Sequence, residues 1–223
     1  MLEPFAGIAN IQAEYTLWHR LGASSFVSLV ALEETGASYT LSEQDGGERS
    51  TLLRAPRGLI SENIAIVTYL AQRHPKARML PSYNKYSMSL ALSWMLKCAS
   101  SLEISIERLK ESRHPSDLHS THARLVERAK DAINKQFEFA EVQLCDGPWL
   151  LGTTWSMADI YLFWCWRGAL ALGVKSVAFP RMQELCSRVM GRPSVMRAME
   201  IDPLLDEVQQ PESFVHMPLV ASR

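Results

Sequence analysis

The stretch WSMADIYLFW at residues 155–164 decides the reading of the second half of the chain. A serine at a helix start accepts a hydrogen bond from the backbone N–H three residues on, and an acid at the third helical position reaches back to the N–H of the cap. Ser156 and Asp159 stand in that relation and predict a capping box. Trp155 before the cap and Ile160 at the fourth helical position can close a hydrophobic staple, so this helix start is specified twice. The helix runs from Ser156 to about Leu172, between Gly152 and Gly173. Its strongly apolar run, Ile160 to Trp166, is the longest in the chain and far short of the roughly 20 residues that cross a bilayer.

Working outward, the chain before this point carries two apolar stripes at helical spacing. Met95, Ala99, Leu102, Ile106 and Leu109 line one helix, and Val126, Ala129, Ile133, Phe137, Ala140 and Leu144 line a second. The two are expected to pack antiparallel across the RHPSD turn. Beyond the central helix, a further helix spans Arg181 to Met190, and Gly191 and Pro193 punctuate its end before a short helix around Ser194 to Met199.

The first half follows a different rhythm. YTLWH at 15–19 and SYTLS at 38–42 have the aromatic and β-branched content of strands, while Phe26, Leu29, Val30 and Glu33 between them keep helical spacing. This is a β-α-β unit, with Ser24 or Ser25 able to cap its helix and Gly36 able to end it. A helix from Asn63 to Arg73 stops before Pro75. The expected organisation is an N-terminal extension at 1–14, an α/β domain at 15–75, a linker at 76–86, an all-helical domain at 87–200 and a tail at 201–223.

Composition limits the functions available. The 223 residues are 47% hydrophobic and 21% charged with a net charge of -1, so no broad attraction to nucleic acid or anionic lipid is expected. The N-terminus lacks a basic region and a continuous apolar segment, which predicts a cytoplasmic protein without a secretory signal. The four cysteines, Cys98, Cys145, Cys165 and Cys186, include no C-x-x-C pair and are expected as buried reduced thiols. His114, His119 and His122 cluster without an acidic or Cys partner at ligand spacing, so a solvated turn is expected and no metal.

WLLGTTWSMADIYLFW at 149–164, followed by FPRMQELCSRVMGRPSVMRAM at 179–199, resembles the signature of the glutathione transferase C-terminal domain. ISENIAIVTYLAQRHPKARMLP at 60–81 resembles the segment of that family which carries an acidic residue, a small polar residue, then Ala-Ile and Tyr-Leu. YTLWHRLGASSFVSLVALEETGASY at 15–39 resembles the first strand, loop and helix of the bacterial beta class. The fold implied is a thioredoxin-like α/β domain with a shortened sheet, joined to an all-α bundle.

The resemblance also implies chemistry. Such enzymes hold glutathione as co-substrate, ionise its thiol and attack a small hydrophobic electrophile. A helix N-terminus favours the thiolate by about 0.3 to 1 kcal/mol, and a hydroxyl donor adds a charge-assisted hydrogen bond. Ser24 stands where the beta class carries its catalytic Cys, with Ser25 beside it; either is a candidate, and either is equally read as a plain helix cap. Glu62 and Asn63 fall where the family holds the γ-glutamyl ammonium and carboxylate, although capping by Ser61 would explain the same segment. A homodimer is implied as well.

Two departures stand against full activity. APRG at 55–58 runs directly into LISEN, whereas the family has a Val-Pro strand and hairpin needing roughly a dozen residues, so the hairpin is expected to be missing. Glu103 and Ile104 replace a His-Lys pair near the thiol. The reading is therefore a weakly active glutathione transferase-like enzyme or, alternatively, a non-catalytic relative that binds a ligand or a protein.

Overall fold

The computed structural model describes residues 13–43, 50–111 and 120–203. β1 (Tyr15–His19), α1 (Ser25–Thr35) and β2 (Tyr39–Glu43) form the β-α-β unit, with β1 and β2 parallel. Gly36 ends α1 in the left-handed conformation, φ 66, which costs a glycine least. β3 (Leu52–Ala55) and β4 (Gly58–Ser61) complete a sheet of order β2-β1-β3-β4.

The hairpin expected to be missing is therefore present. Leu52 pairs with Ser61, Leu53 with Ile60, Arg54 with Leu59 and Ala55 with Gly58, leaving Pro56 and Arg57 as a two-residue turn. Two strands of four residues and this turn fit within residues 52–61. APRG is the turn itself, with Pro56 where no ladder N–H is needed and Gly58 at φ 143, which side chains avoid.

α2 (Asn63–Arg73) follows, and the connection to the helical half contains a short 3-10 turn at Pro75–Ala77. Asn84 caps α3 (Lys85–Lys97), its side chain accepting from the N–H groups of Tyr86 and Ser87 at 2.9 and 3.1 Å. The helix expected to run on unbroken passes instead through a π-helical turn at Cys98–Glu103 before α4 (Ile104–Glu111). Met95, Leu102, Ile106 and Leu109 are buried as the stripe requires, and Ala99 packs against the core from its edge. α4 lies against α5 (Ser120–Gln143), where Ile133, Phe137 and Ala140 are buried. The RHPSD turn, His114, His119 and the side chain of His122 lie outside the described residues.

α6 (Met157–Ala171) is the centre of the molecule. Every residue from Met157 to Arg167 is buried, and the helix packs against α1, α3 and α7 (Pro180–Met190), so its apolar run meets protein on all sides. Its capping box is formed: the Ser156 N–H donates to Asp159 Oδ2 at 2.7 Å, and the Ser156 hydroxyl accepts from the Ala158 N–H at 3.3 Å. Asp159 also accepts from the Leu150 N–H at 2.8 Å, tying the preceding loop to the helix start. Cys98, Cys165 and Cys186 are buried free thiols as expected, whereas Cys145 is exposed.

α8 (Pro193–Ile201) brings the chain back onto α1. Glu34 accepts from the Arg192 guanidinium at 2.7 and 3.0 Å and from the Ser194 hydroxyl at 2.5 Å. Asp202 accepts from the Gly22 N–H at 2.9 Å and lies 3.4 Å from His19 Nε2. These contacts fasten the end of the helical half to both ends of α1.

Candidate functional site

Between the sheet domain and the helices lies a cleft of about 360 Å³, lined among others by Ser24, Thr51, Glu62, Asn63, Glu103 and Tyr161. Three loop-to-element junctions converge there: the start of α1, the start of β3 and the start of α2. The fourth wall comes from the π-helical turn and α6.

Ser24 and Ser25 are separated by the structure. Ser24 is the N-cap of α1 by position, but its side chain caps nothing. It lines the cleft together with Glu103, whose carboxyl its hydroxyl helps to hold down. Ser25 faces the other way, buried against β1, with its hydroxyl 2.8 Å from His19 Nδ1. Of the two, Ser24 lines the cleft.

Glu62 adopts φ 72, one of two described non-glycine residues at positive φ. Such a backbone costs on the order of 1–3 kcal/mol and persists where neighbours over-determine it. Here they do: the Glu62 N–H donates to the Thr51 carbonyl at 3.0 Å, its carbonyl accepts from the Ile66 N–H at 3.0 Å, and its carboxylate accepts from the Ser50 hydroxyl at 3.0 Å. The twist turns the chain from β4 into α2. Capping by Ser61 is not what starts that helix, because Ser61 ends β4 and no side chain caps α2. Its first-turn N–H groups are left for an anion. Asn63 is buried, its Oδ1 accepting from the Ser28 hydroxyl at 2.7 Å, which fixes the side chain at the cleft wall.

Glu103 is the last residue of the π-helical turn. Burial raises its carboxyl above the usual carboxylate range, while hydrogen bonds from Ser24 and Tyr161 pull it back. The Tyr161 hydroxyl donates to Glu103 Oε2 at 2.6 Å, and burial pushes that phenol up, so it stays a donor. Tyr161 was hidden to sequence reasoning inside the apolar run of α6, and Thr51 carried no motif. Glu103 was legible only as a replacement.

Residues 88–193 match the family described as glutathione S-transferase, C-terminal domain. The chain has the glutathione transferase fold. Among curated proteins, this transferase-fold chain is 24% identical over 205 residues to the glutathione S-transferase GstA of Escherichia coli O157:H7, spanning 84% of this chain and 98% of that one. Among solved structures, a glutathione transferase homologue from Sulfitobacter with bound glutathione superposes with a TM-score of 0.75 at 21% identity, covering 85% of this chain and 99% of that one. The bacterial beta class enzyme of Sphingomonas chungbukensis gives 0.72 at 24% identity over 85% and 99%. Ser50 and Thr51 directly precede β3 and line the cleft. No helix among the described residues is long and apolar enough to cross a membrane, and those residues contain no cluster of three or more potential metal ligands.

Proposed function

We propose that this protein binds glutathione in the cleft and joins its thiolate to small hydrophobic electrophiles. The observation that carries the reading is the convergence of Ser24, Thr51, Glu62 and Asn63 on one cleft from three separate segments. Glu62 offers a carboxylate to the γ-glutamyl ammonium. Asn63 and the uncapped start of α2 offer N–H groups to the γ-glutamyl carboxylate. The backbone at Ser50-Thr51 faces the cysteinyl part, and Ser24 faces the sulfur. Of the two serines, the buried Ser25 is the weaker candidate. The bound glutathione of the Sulfitobacter homologue supports the choice of ligand.

Because the hairpin is present, no loss of affinity follows from a missing strand. A non-catalytic relative remains the second reading, favoured by one feature: Glu103 puts an acid beside Ser24, where a thiolate would form. Calorimetry with glutathione and a conjugation assay with a generic aryl halide decide between them. Heat of binding with turnover supports the enzyme, and binding without turnover the second reading. Glu62 is exposed, so its ion pair with the ammonium is worth about 0.2–1 kcal/mol, and Glu62→Ala should weaken binding by no more than roughly fivefold. Cytoplasmic placement and a homodimer belong to the same proposal.

A further inference from the structure

Glu103 poses a charge problem that narrows its role. A carboxylate and a thiolate sharing Ser24 would place two negative charges within a few ångströms in a partly buried site, and like charges at such a distance do not both persist. The cleft therefore favours one negative charge there: carboxylate with thiol, or carboxylic acid with thiolate. Those two states differ by the position of one proton.

We propose that Glu103 accepts the proton of the glutathione thiol through the Ser24 hydroxyl, acting as general base for conjugation. The proposal rests on the glutathione reading given above. The thiol S–H bond breaks and its proton passes to Ser24 Oγ, while the Ser24 proton forms the new O–H bond on Glu103. The electron pair stays on sulfur, which then forms its bond to the electrophile as the leaving group departs with its own pair. The Glu103 carboxyl next releases its proton to solvent, and Ser24 ends unchanged.

Three structural features suit Glu103 to this task. Ser24 makes no cap hydrogen bond and lines the same cleft as Glu103 and Tyr161, with its hydroxyl favouring the charged form of that carboxyl. Tyr161 fixes the carboxylate at 2.6 Å from the opposite side. A carboxyl raised by burial also lies closer to neutrality, where a general base is most effective. The groups acting on Glu103 are Ser24 before α1, Tyr161 and Cys165 on α6, and Glu107 and Lys110 on α4; Glu62 and Arg108 also line the cleft. Lys110 is drawn off by Glu107 at 2.7 Å, so α4 brings little net charge to Glu103.

The test uses the full-length protein in two ways. In the wild type, thiolate is followed by its ultraviolet absorbance while proton release on glutathione binding is measured by calorimetry in buffers of different ionisation enthalpy. If Glu103 takes the proton, thiolate appears with little proton release at pH values where free Glu103 is ionised. One proton released per thiolate formed overturns the inference. In Glu103→Gln, kcat should fall by about 10²–10⁴-fold, the usual worth of general acid–base catalysis, with partial rescue in Glu103→Asp. The activity limb that belongs to Glu103 should vanish from the pH profile, and Ser24→Ala added to Glu103→Gln should cost little more. A Glu103→Gln variant that conjugates as fast as wild type overturns the inference alone, because glutathione still binds and reacts. Wild type with neither heat nor turnover overturns the glutathione reading and this inference together.

Discussion

At the scale of single residues, Asp159 carries the most explicit chemistry outside the cleft. It is fully buried, and burial pushes its carboxyl up to about 6 against the hydrogen bonds it receives from Leu150 and Ser156. The folded protein thus holds a proton on Asp159 more tightly than the unfolded chain does. The stability contributed by this group is fully present below the ordinary value of 3.8 and is lost as pH rises through about 6. A difference of that size between the folded and unfolded chain corresponds to about 3 kcal/mol. Asp159→Asn should flatten the pH dependence of unfolding between those values, as measured by chemical denaturation; an unchanged slope refutes the assignment. At the cap itself, Ser156→Ala should destabilise by about 0.5–2 kcal/mol, since the Ala158 N–H loses its acceptor at the start of a buried helix. Equal denaturation midpoints for wild type and variant would show that the hydroxyl contributes nothing.

At the scale of elements, the β3–β4 hairpin and the π-helical turn mark the boundary of what the sequence discloses. The first strand, α1, α2 and α6 were legible because each announces itself by alternation, helical period or a cap, and Gly36, Pro75, Ser156 and Asp159 set their limits by local chemistry. The hairpin was not, because strands of four residues are too short to show a period and Pro56 reads as an interruption until the turn is seen around it. The π-helical turn leaves no compositional trace: Met95, Leu102, Ile106 and Leu109 of the apolar stripe are buried on either side of it and within it, with Ala99 at the edge of the core. In the cleft, Ser24, Glu62 and Asn63 were named from the sequence, whereas Tyr161 looks like core in any linear reading. The hairpin turn can be tested directly. A Cβ at Gly58 would meet nothing within 4 Å, so Gly58→Ala isolates the backbone cost of φ 143. That substitution should destabilise by about 1–3 kcal/mol in denaturation. A neutral result would mean that the turn is not held as described.

At the scale of the whole molecule, the question is what covers the outer face of the helical half. Exposed apolar residues scattered singly are ordinary on a monomer, but a contiguous patch marks an interaction surface. Leu96 is 57% exposed, Phe139 46% and Val142 69%, and they sit on α3 and α5, which flank one aromatic seam. The Phe139 ring stacks on Trp94 at 5.3 Å, and the Lys97 ammonium lies 3.9 Å from the Phe139 centroid, so the two helices share one surface. On the sheet side, Leu59 of β4 is 61% exposed. A twofold dimer that pairs the α3–α5 face of one protomer with the sheet-domain rim of its partner would bury both. Such an interface is isologous, so one charge placed on it is felt twice. Sedimentation at tens of micromolar should therefore give twice the chain mass of 25.1 kDa. Phe139→Glu should shift the population to the 25.1 kDa monomer without unfolding it, because Phe139 is half exposed in the single chain. A wild type that sediments only as monomer removes self-association as the role of this face, and a Phe139→Glu variant that stays dimeric moves the interface elsewhere.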